Sequence, residues 1–142
     1  MRLMGLDYGA KTVGVALSDP LGITAEPFET VVRKEEKKLR RTLARIEEIV
    51  REYEVTEIVV GLPLHLSGEE SERSVLCRQF AEKVQARTGL PVHLCDERLT
   101  TVEADEWLQE MQVPKEKRKE VIDRLAATAI LRDFMTAREK GK

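Results

Sequence analysis

The sequence predicts an α/β fold built on a mixed sheet of five strands, three antiparallel and two parallel, flanked by helices. Two closely spaced apolar segments near the N-terminus predict an antiparallel pair, because so short a connection cannot cross back over a sheet. Two later apolar segments each follow a segment with helical periodicity, an order that predicts parallel strands joined by right-handed crossovers. The 142 residues suffice for one hydrophobic core, so we expect a single domain spanning 1–142.

The antiparallel strands open the chain. Residues 3–7 read as a buried strand, and residues 12–18 form a second strand after a turn at Gly9. The segment 19–22, Asp-Pro-Leu-Gly, has the composition of a turn. A third strand over 27–32 would complete a meander.

Two helices alternate with the parallel strands. An apolar stripe predicts a helix over 35–53, and its members are Leu39, Leu43, Ile46 and Val50. A strand over 57–61 follows, and then a helix over 70–88 that stops before Gly89, a residue suited to the left-handed position after a helix. The fifth strand covers 92–95 and runs into Asp96 and Glu97.

Two more helices complete the predicted fold. Thr100 and Glu103 have the spacing of a capping box, so a helix should begin there and run to about Met111. The last helix covers about 115–137 and is entered at Pro114. Small residues on its apolar face would allow close packing on the sheet, and that face consists of Ile122, Ala126, Ala129 and Ile130.

Charge and cysteine content narrow the class of protein. The formal net charge of −2 argues against a protein that coats nucleic acid through bulk charge, but it permits one that grips a few phosphates locally. Basic residues cluster in 33–41 and 115–119, and we interpret both clusters as solvated helix faces. Cys77 and Cys95 form no metal-binding motif. They indicate thiols in a reducing compartment, so we expect a cytoplasmic protein.

Three acidic residues are the candidates for chemistry. Asp7 and Glu97 end strands that should run parallel, and the carboxyl ends of such strands share one rim of the sheet. Asp123 lies beside the inward-facing stripe of the last helix, where a carboxylate must be paired, hydrogen-bonded or bound to metal. Converging carboxylates repel one another and favour a hard divalent cation, so we predict a site for Mg²⁺ or Mn²⁺. Such ions can activate water and stabilise the leaving oxygen of a phosphodiester.

Structural roles remain open for each acid. Asp7 could order its turn, Glu97 could pair with a neighbouring arginine, and Asp123 could be a surface acid opposite Lys119 or Lys115. Asp96 competes with Glu97, since alternation along the strand sends the two side chains to opposite faces. Three cations are candidates for binding phosphate, with ordinary salt bridges as the alternative, and they are Lys11, Arg98 and Arg124.

Four segments, in order along nearly the whole chain, closely resemble the bacterial YqgF (RuvX) family. They are Leu6-Asp7-Tyr8-Gly9-Ala10-Lys11, Val60-Gly61-Leu62-Pro63, Asp96-Glu97-Arg98-Leu99-Thr100 and Ile122-Asp123. The family is described as nucleases similar to Holliday-junction resolvases, with a ribonuclease-H-like fold. It is linked to maturation of the 5′ end of precursor 16S ribosomal RNA in the cytoplasm. The resemblance implies that Asp7, Glu97 and Asp123 are metal-binding acids.

The resemblance therefore leads us to expect a metal-dependent endonuclease that acts on structured RNA, with precursor ribosomal RNA as substrate and a ribosomal particle as a further partner. Cleavage of DNA Holliday junctions is the alternative within the same chemistry. A non-catalytic protein that binds RNA or the ribosome is a second class. An ATP-binding domain of the actin and sugar-kinase type is a third, although such proteins need two domains of this kind around the nucleotide.

Overall fold

The N-terminal hairpin is built as predicted. In the computed structural model, which describes residues 1–63, 71–97 and 109–141 (the side chains of Glu97 and Glu116 excepted), strand β1 covers Arg2–Tyr8 and strand β2 covers Thr12–Ser18. The two strands pair antiparallel. Between them the Gly9 N–H donates to the Thr12 carbonyl at 2.7 Å, which closes the turn. The hairpin places residue 7 just before this turn.

Strand β3, Ala25–Val32, pairs antiparallel with β2 and begins two residues earlier than predicted. The connection is ordered by Asp19, whose Oδ1 accepts hydrogen bonds from the Ile23 and Thr24 N–H groups at 2.6 and 2.8 Å. Chiefly the Thr24 N–H keeps the pKa of Asp19 below its ordinary value. This local arrangement is the turn that the composition of residues 19–22 predicts.

Helix α1 is shorter than predicted. It covers Arg40–Glu52, so the predicted start at residue 35 is wrong. Residues 34–39 instead form turns, in which the Lys38 N–H donates to the Glu35 carbonyl at 3.1 Å. Helix α2, Glu72–Thr88, agrees well with its prediction. Gly89 follows it with φ of 74°, in the left-handed region expected there.

The later strands complete the mixed sheet. Strand β4 covers Val55–Pro63 and strand β5 covers Val92–Glu97; β4 is parallel to both β1 and β5. The strand order is β3-β2-β1-β4-β5. The prediction of three antiparallel and two parallel strands flanked by helices is therefore confirmed.

Helix α3 covers Lys115–Lys140, directly after Pro114, and packs across β1, β2 and β3. The residues buried against the sheet include Asp123, Ala127, Ile130 and Leu131. Of the predicted face, Ala126 and Ile130 are buried, and Ile122 and Ala129 are half-buried. The helix predicted over Thr100–Met111 lies outside the described residues apart from its last three.

The sheet separates two apolar layers. Helices α1 and α2 cover the larger layer, which includes Met4, Leu6 and Tyr8 of β1. Helix α3 covers the smaller layer on the opposite face, which includes Leu3 and Ala16. Among the described residues, no helix is both long and apolar enough to cross a membrane.

Candidate metal centre

Strand β1 places Asp7 on the face of the sheet that α3 covers. Side chains alternate along a strand, and Leu6 and Tyr8 belong to the layer beneath α1 and α2. Asp7 between them therefore lies on the α3 side, where it is half-buried. Its register partner in β2 is Gly14.

The backbone of α3 lies directly on β2 at this point. A Cβ atom added to Gly14 would stand 1.9 Å from the Asp123 carbonyl oxygen, so only glycine permits the helix to approach so closely. Because Gly14 pairs with Asp7, the approach brings Asp123 to the strand pair that carries Asp7. The structure thus places these two predicted acids at one corner of the molecule.

The carboxylate of Asp123 is buried and oriented. Only 6% of the residue is exposed, and the Thr12 hydroxyl donates a hydrogen bond of 2.5 Å to Oδ2. Oδ1 lies 3.4 Å from Nζ of Lys119, whose side chain is 66% exposed. The expected alternative of a surface acid opposite Lys119 is therefore wrong in part, since the ion pair is present but the acid is buried.

The ion pair between Asp123 and Lys119 is weak. It is long, and its lysine is solvated, so it contributes little stability. An ionised carboxylate also has about four lone-pair sites and accepts further ligands beside one hydrogen bond. Asp7 and Asp123 thus supply the hard oxygen donors that Mg²⁺ and Mn²⁺ prefer.

Glu97 is the last residue of β5 and pairs in register with Pro63 at the end of β4. Strands β1, β4 and β5 run in the same direction, so their carboxyl ends meet at the rim that carries Asp7. The side chain of Glu97 is not among those that the structure describes. Within the described side chains, no three His, Cys, Asp or Glu residues form a metal-binding group.

Asp96 lies on the other face of the sheet. It pairs with Leu62, whose side chain belongs to the layer beneath α1 and α2. Paired positions share a face, so Asp96 is directed away from the side where Asp7 and Asp123 lie. Its side chain is exposed.

The predicted phosphate-binding cations have different surroundings. Lys11 is exposed in the β1–β2 turn, next to the carboxyl end of β1. Arg124 is half-buried and donates from Nη1 to the Thr30 hydroxyl at 3.2 Å, which directs it toward β3. Arg98 lies outside the described residues.

Sequence reasoning missed two arginines beside the turn. Nη2 of Arg33 donates to the Gly9 carbonyl at 2.6 Å, and Nη2 of Arg73 donates to the Tyr8 carbonyl at 3.4 Å. Each guanidinium carbon also lies 4.8 Å from the centroid of the Tyr8 ring. The interpretation of Arg33 as part of a solvated helix face is wrong, since only 7% of it is exposed and it precedes the helix.

These arginines hold the backbone that follows Asp7. Glu36 connects them, because its carboxylate accepts from Nη1 of Arg73 at 2.6 Å and its carbonyl from Nε of Arg33 at 3.3 Å. Burial is the largest single influence on Arg73 and opposes its charge, but the hydrogen bond that Arg73 donates to Glu36 and the nearby negative groups together raise the pKa of the guanidinium. The position of Arg33 directly after a strand was the one available signal that it does not lie on a helix.

Thr12 is the third residue that sequence reasoning missed. As the first residue of β2 it shares a face with Gly14, and this places its hydroxyl beside Asp123. A threonine in a β-strand is ordinary, so the sequence carries no signal for this role.

Comparison with known proteins identifies the family and the relatives of this chain. The RuvX family model, described as "Holliday junction resolvase", matches residues 1–137. A protein of Lachnospira eligens named "Putative pre-16S rRNA nuclease" is 62% identical over 140 residues, which cover 99% of this chain and all of that protein. A protein of the same name from Agathobacter rectalis is 50% identical over 135 residues, covering 95% of this chain and 94% of that one.

Two solved structures share the fold. RuvC of Thermus thermophilus in complex with a Holliday junction substrate superposes with a TM-score of 0.60 at 17% identity, over 98% of this chain and 96% of that one. A second Thermus thermophilus RuvC structure gives a TM-score of 0.58 at 15% identity, over 99% and 97% of the two chains. The predicted ribonuclease-H-like fold is thereby confirmed. The chain belongs to the RuvX family.

Proposed function

We propose that this protein is a divalent-metal-dependent endonuclease that hydrolyses phosphodiester bonds in structured RNA, at the 5′ end of precursor 16S ribosomal RNA. The observation that carries the proposal is the close approach of Asp123 to Gly14, the register partner of Asp7. It joins two acids from distant parts of the chain at one rim. The names of the relatives supply the substrate class.

The proposed metal ligands are Asp7, Glu97 and Asp123. Glu97 is preferred to Asp96 because strand alternation assigns position 97 to the same face as Cys95, which packs on the layer beneath α3. When bound, the cation supplies an activated water and stabilises the leaving oxygen of the phosphodiester.

The chain's other residues orient the acids and the substrate. Thr12 fixes Oδ2 of Asp123 through its hydrogen bond, and the other oxygen, Oδ1, faces Lys119. Lys11, on the exposed turn beside the acids, is assigned to the substrate phosphates, together with Arg98 and Arg124. Lys119 neutralises Asp123 when no cation is bound and, being exposed, is readily displaced.

The proposal is tested by incubating the purified protein with a precursor 16S RNA fragment and MgCl₂ or MnCl₂. Asp7→Asn, Glu97→Gln and Asp123→Asn should each abolish cleavage and leave the protein folded. Asp96→Asn is the matched control, since it removes an acid from the opposite face of the same strand and should cleave normally. An Asp7→Asn protein that cuts like wild type would assign the activity to another site or to a contaminant.

The same assay separates the alternatives. The family description favours a four-way DNA junction as a second substrate, so labelled junctions are included beside the RNA. If the protein binds RNA without cutting it, cells that carry Asp7→Asn should grow or assemble ribosomes as well as cells that carry the wild-type protein. The cytoplasmic location and the ribosomal particle as a partner form part of the proposal, and co-sedimentation with immature small subunits tests them.

A further inference from the structure

We propose that a basic groove beside the metal centre binds the phosphate backbone of the nucleic-acid substrate. The groove has a volume of about 690 Å³, and its cations are Arg33, Lys34, Lys37, Lys38, Arg40 and Arg41. This inference rests on the nuclease function proposed above and adds the surface that holds the substrate while it is cut.

The charge of the basic groove is largely uncompensated. Its one acidic residue, Glu35, pairs with Lys38 at 3.8 Å, and both side chains are mostly exposed, so the pair is weak. Lys34, Lys37 and Arg41 are exposed and make no ion pair with any carboxylate in the described part of the chain. Like charges gathered on one surface repel one another, and a polyanion relieves that repulsion.

Two features beneath the exposed lysines add fixed positive charge. Helix α1 starts at Arg40 without a side-chain cap and without an acid in its first turn, so its positive dipole end is not neutralised there. Only 7% of Arg33 is exposed, and its Nη1 has no hydrogen-bond partner among the described residues. These groups raise the potential of the basic groove independently of side-chain motion.

The basic groove is joined through Arg33 to the turn that follows Asp7. The Arg33 N–H donates to the Lys11 carbonyl at 2.8 Å, and the Arg33 guanidinium donates to the Gly9 carbonyl at 2.6 Å. Both acceptors lie in the turn that directly follows Asp7. A nucleic-acid strand held in the groove therefore lies next to the turn that follows Asp7, and this position beside the proposed nuclease site favours nucleic acid over an acidic protein as the occupant.

The net charge of −2 makes the placement of these cations informative. A protein without bulk positive charge can bind a polyanion only where its cations are concentrated. The structure concentrates six of them in one groove. Binding should therefore depend strongly on these residues.

The test uses the triple variant Lys34→Gln/Lys37→Gln/Arg41→Gln, which leaves the proposed metal ligands intact. The matched control is Arg51→Gln/Arg132→Gln/Lys140→Gln, which removes the same charge from exposed positions outside the groove. Binding of a fluorescein-labelled RNA hairpin with a single-stranded 5′ extension is measured by anisotropy in EDTA, over a series of NaCl concentrations.

The groove variant should bind the RNA about tenfold or more weakly at about 0.1 M salt. The slope of its log affinity against log salt should be smaller in magnitude by about 2, because each single-strand phosphate contact contributes about 0.7 to that slope. The control should match wild type. Equal binding by both variants, or equal weakening, would overturn the basic groove as the binding surface. The groove variant should also melt no lower than wild type, since it loses like-charge repulsion.

Kinetics separate this inference from the proposed function. With Mg²⁺ and precursor 16S RNA, the groove variant should raise KM and leave kcat unchanged, as expected when binding alone is removed. Asp7→Asn should bind the hairpin with the wild-type salt dependence and fail to cut. If the wild-type protein binds RNA through the groove but does not cut it, the nuclease proposal is refuted and the proposal for the groove is supported. A groove variant with wild-type KM would end the groove proposal and leave the nuclease intact.

Discussion

Replacing Gly14 by alanine should displace the helix that carries Asp123. The added Cβ would lie 1.9 Å from the Asp123 carbonyl oxygen, 2.3 Å from its carbonyl carbon and 3.0 Å from the Arg124 nitrogen. To restore an ordinary contact of about 3.4 Å, the backbones of α3 and β2 must separate by about 1.5 Å. Overpacking of this kind costs about 1–3 kcal/mol of unfolding free energy, and a displacement of about 1 Å at a reacting centre can cost about 100-fold in rate.

Two assays measure the effect. The melting temperature should fall by about 3–9 °C, taking about 3 °C per kcal/mol for a chain of this size. The value of kcat/KM for cleavage of a precursor 16S fragment should fall by about 100-fold or more. Gly141→Ala is the matched control, because its nearest neighbour would be 3.4 Å away at the end of the same helix. A Gly14→Ala protein that melts and cuts like wild type would refute the view that this approach places Asp123.

Three further predictions concern the hydrogen bonds and ions around the sheet. Thr12→Val should lower the unfolding free energy in urea by about 1–3 kcal/mol, because the buried Asp123 carboxylate loses its hydrogen-bond donor. Thr12→Ser keeps the hydroxyl and should keep the wild-type stability. Equal stability of the two variants would contradict this reasoning. Mg²⁺ at about 100 times its Kd should raise the unfolding free energy of wild type by about 2.7 kcal/mol and that of Asp7→Asn by less, so an equal rise in thermal melts would point to another metal site. Arg138, at 2.6 Å, chiefly lowers the pKa of Glu57, with His93 assisting; this stabilisation is present at neutral pH and lost as pH falls through the lowered pKa. The melting temperature of Glu57→Gln should therefore lie below that of wild type at pH 7 and converge with it below about pH 4, and a constant difference would show that charge is not involved.

The sequence predicts the sheet well because its signals are local. The β1–β2 hairpin follows from two apolar runs and a short turn, and β2 has the predicted bounds 12–18. The predicted helix α1 begins too early in the chain because Leu39 fits the helical stripe. Residues 34–39 form turns instead, and Arg33, which precedes them, donates to the Gly9 carbonyl, 24 positions earlier in the chain.

The sequence predicts the acids of the candidate site but not the residues that support them. Strand ends predict a shared rim for Asp7 and Glu97, and helical periodicity places Asp123 near the packed face. The hydrogen bond from Thr12 to Asp123 joins residues 111 positions apart, so it depends on the register between α3 and β2. Basic residues are usually exposed, and no local sequence pattern predicts that Arg33 is buried.

The docking of α3 on Gly14 also has a consequence for the order in which the molecule matures. The sheet with its first acid is synthesised before the helix that brings the buried acid, because that helix is the last element of the chain that the structure describes. A nascent chain that has reached only α2 can present Asp7 but lacks Asp123. On the function proposed above, such a chain would be unable to cut RNA until α3 has been synthesised and packed on the sheet.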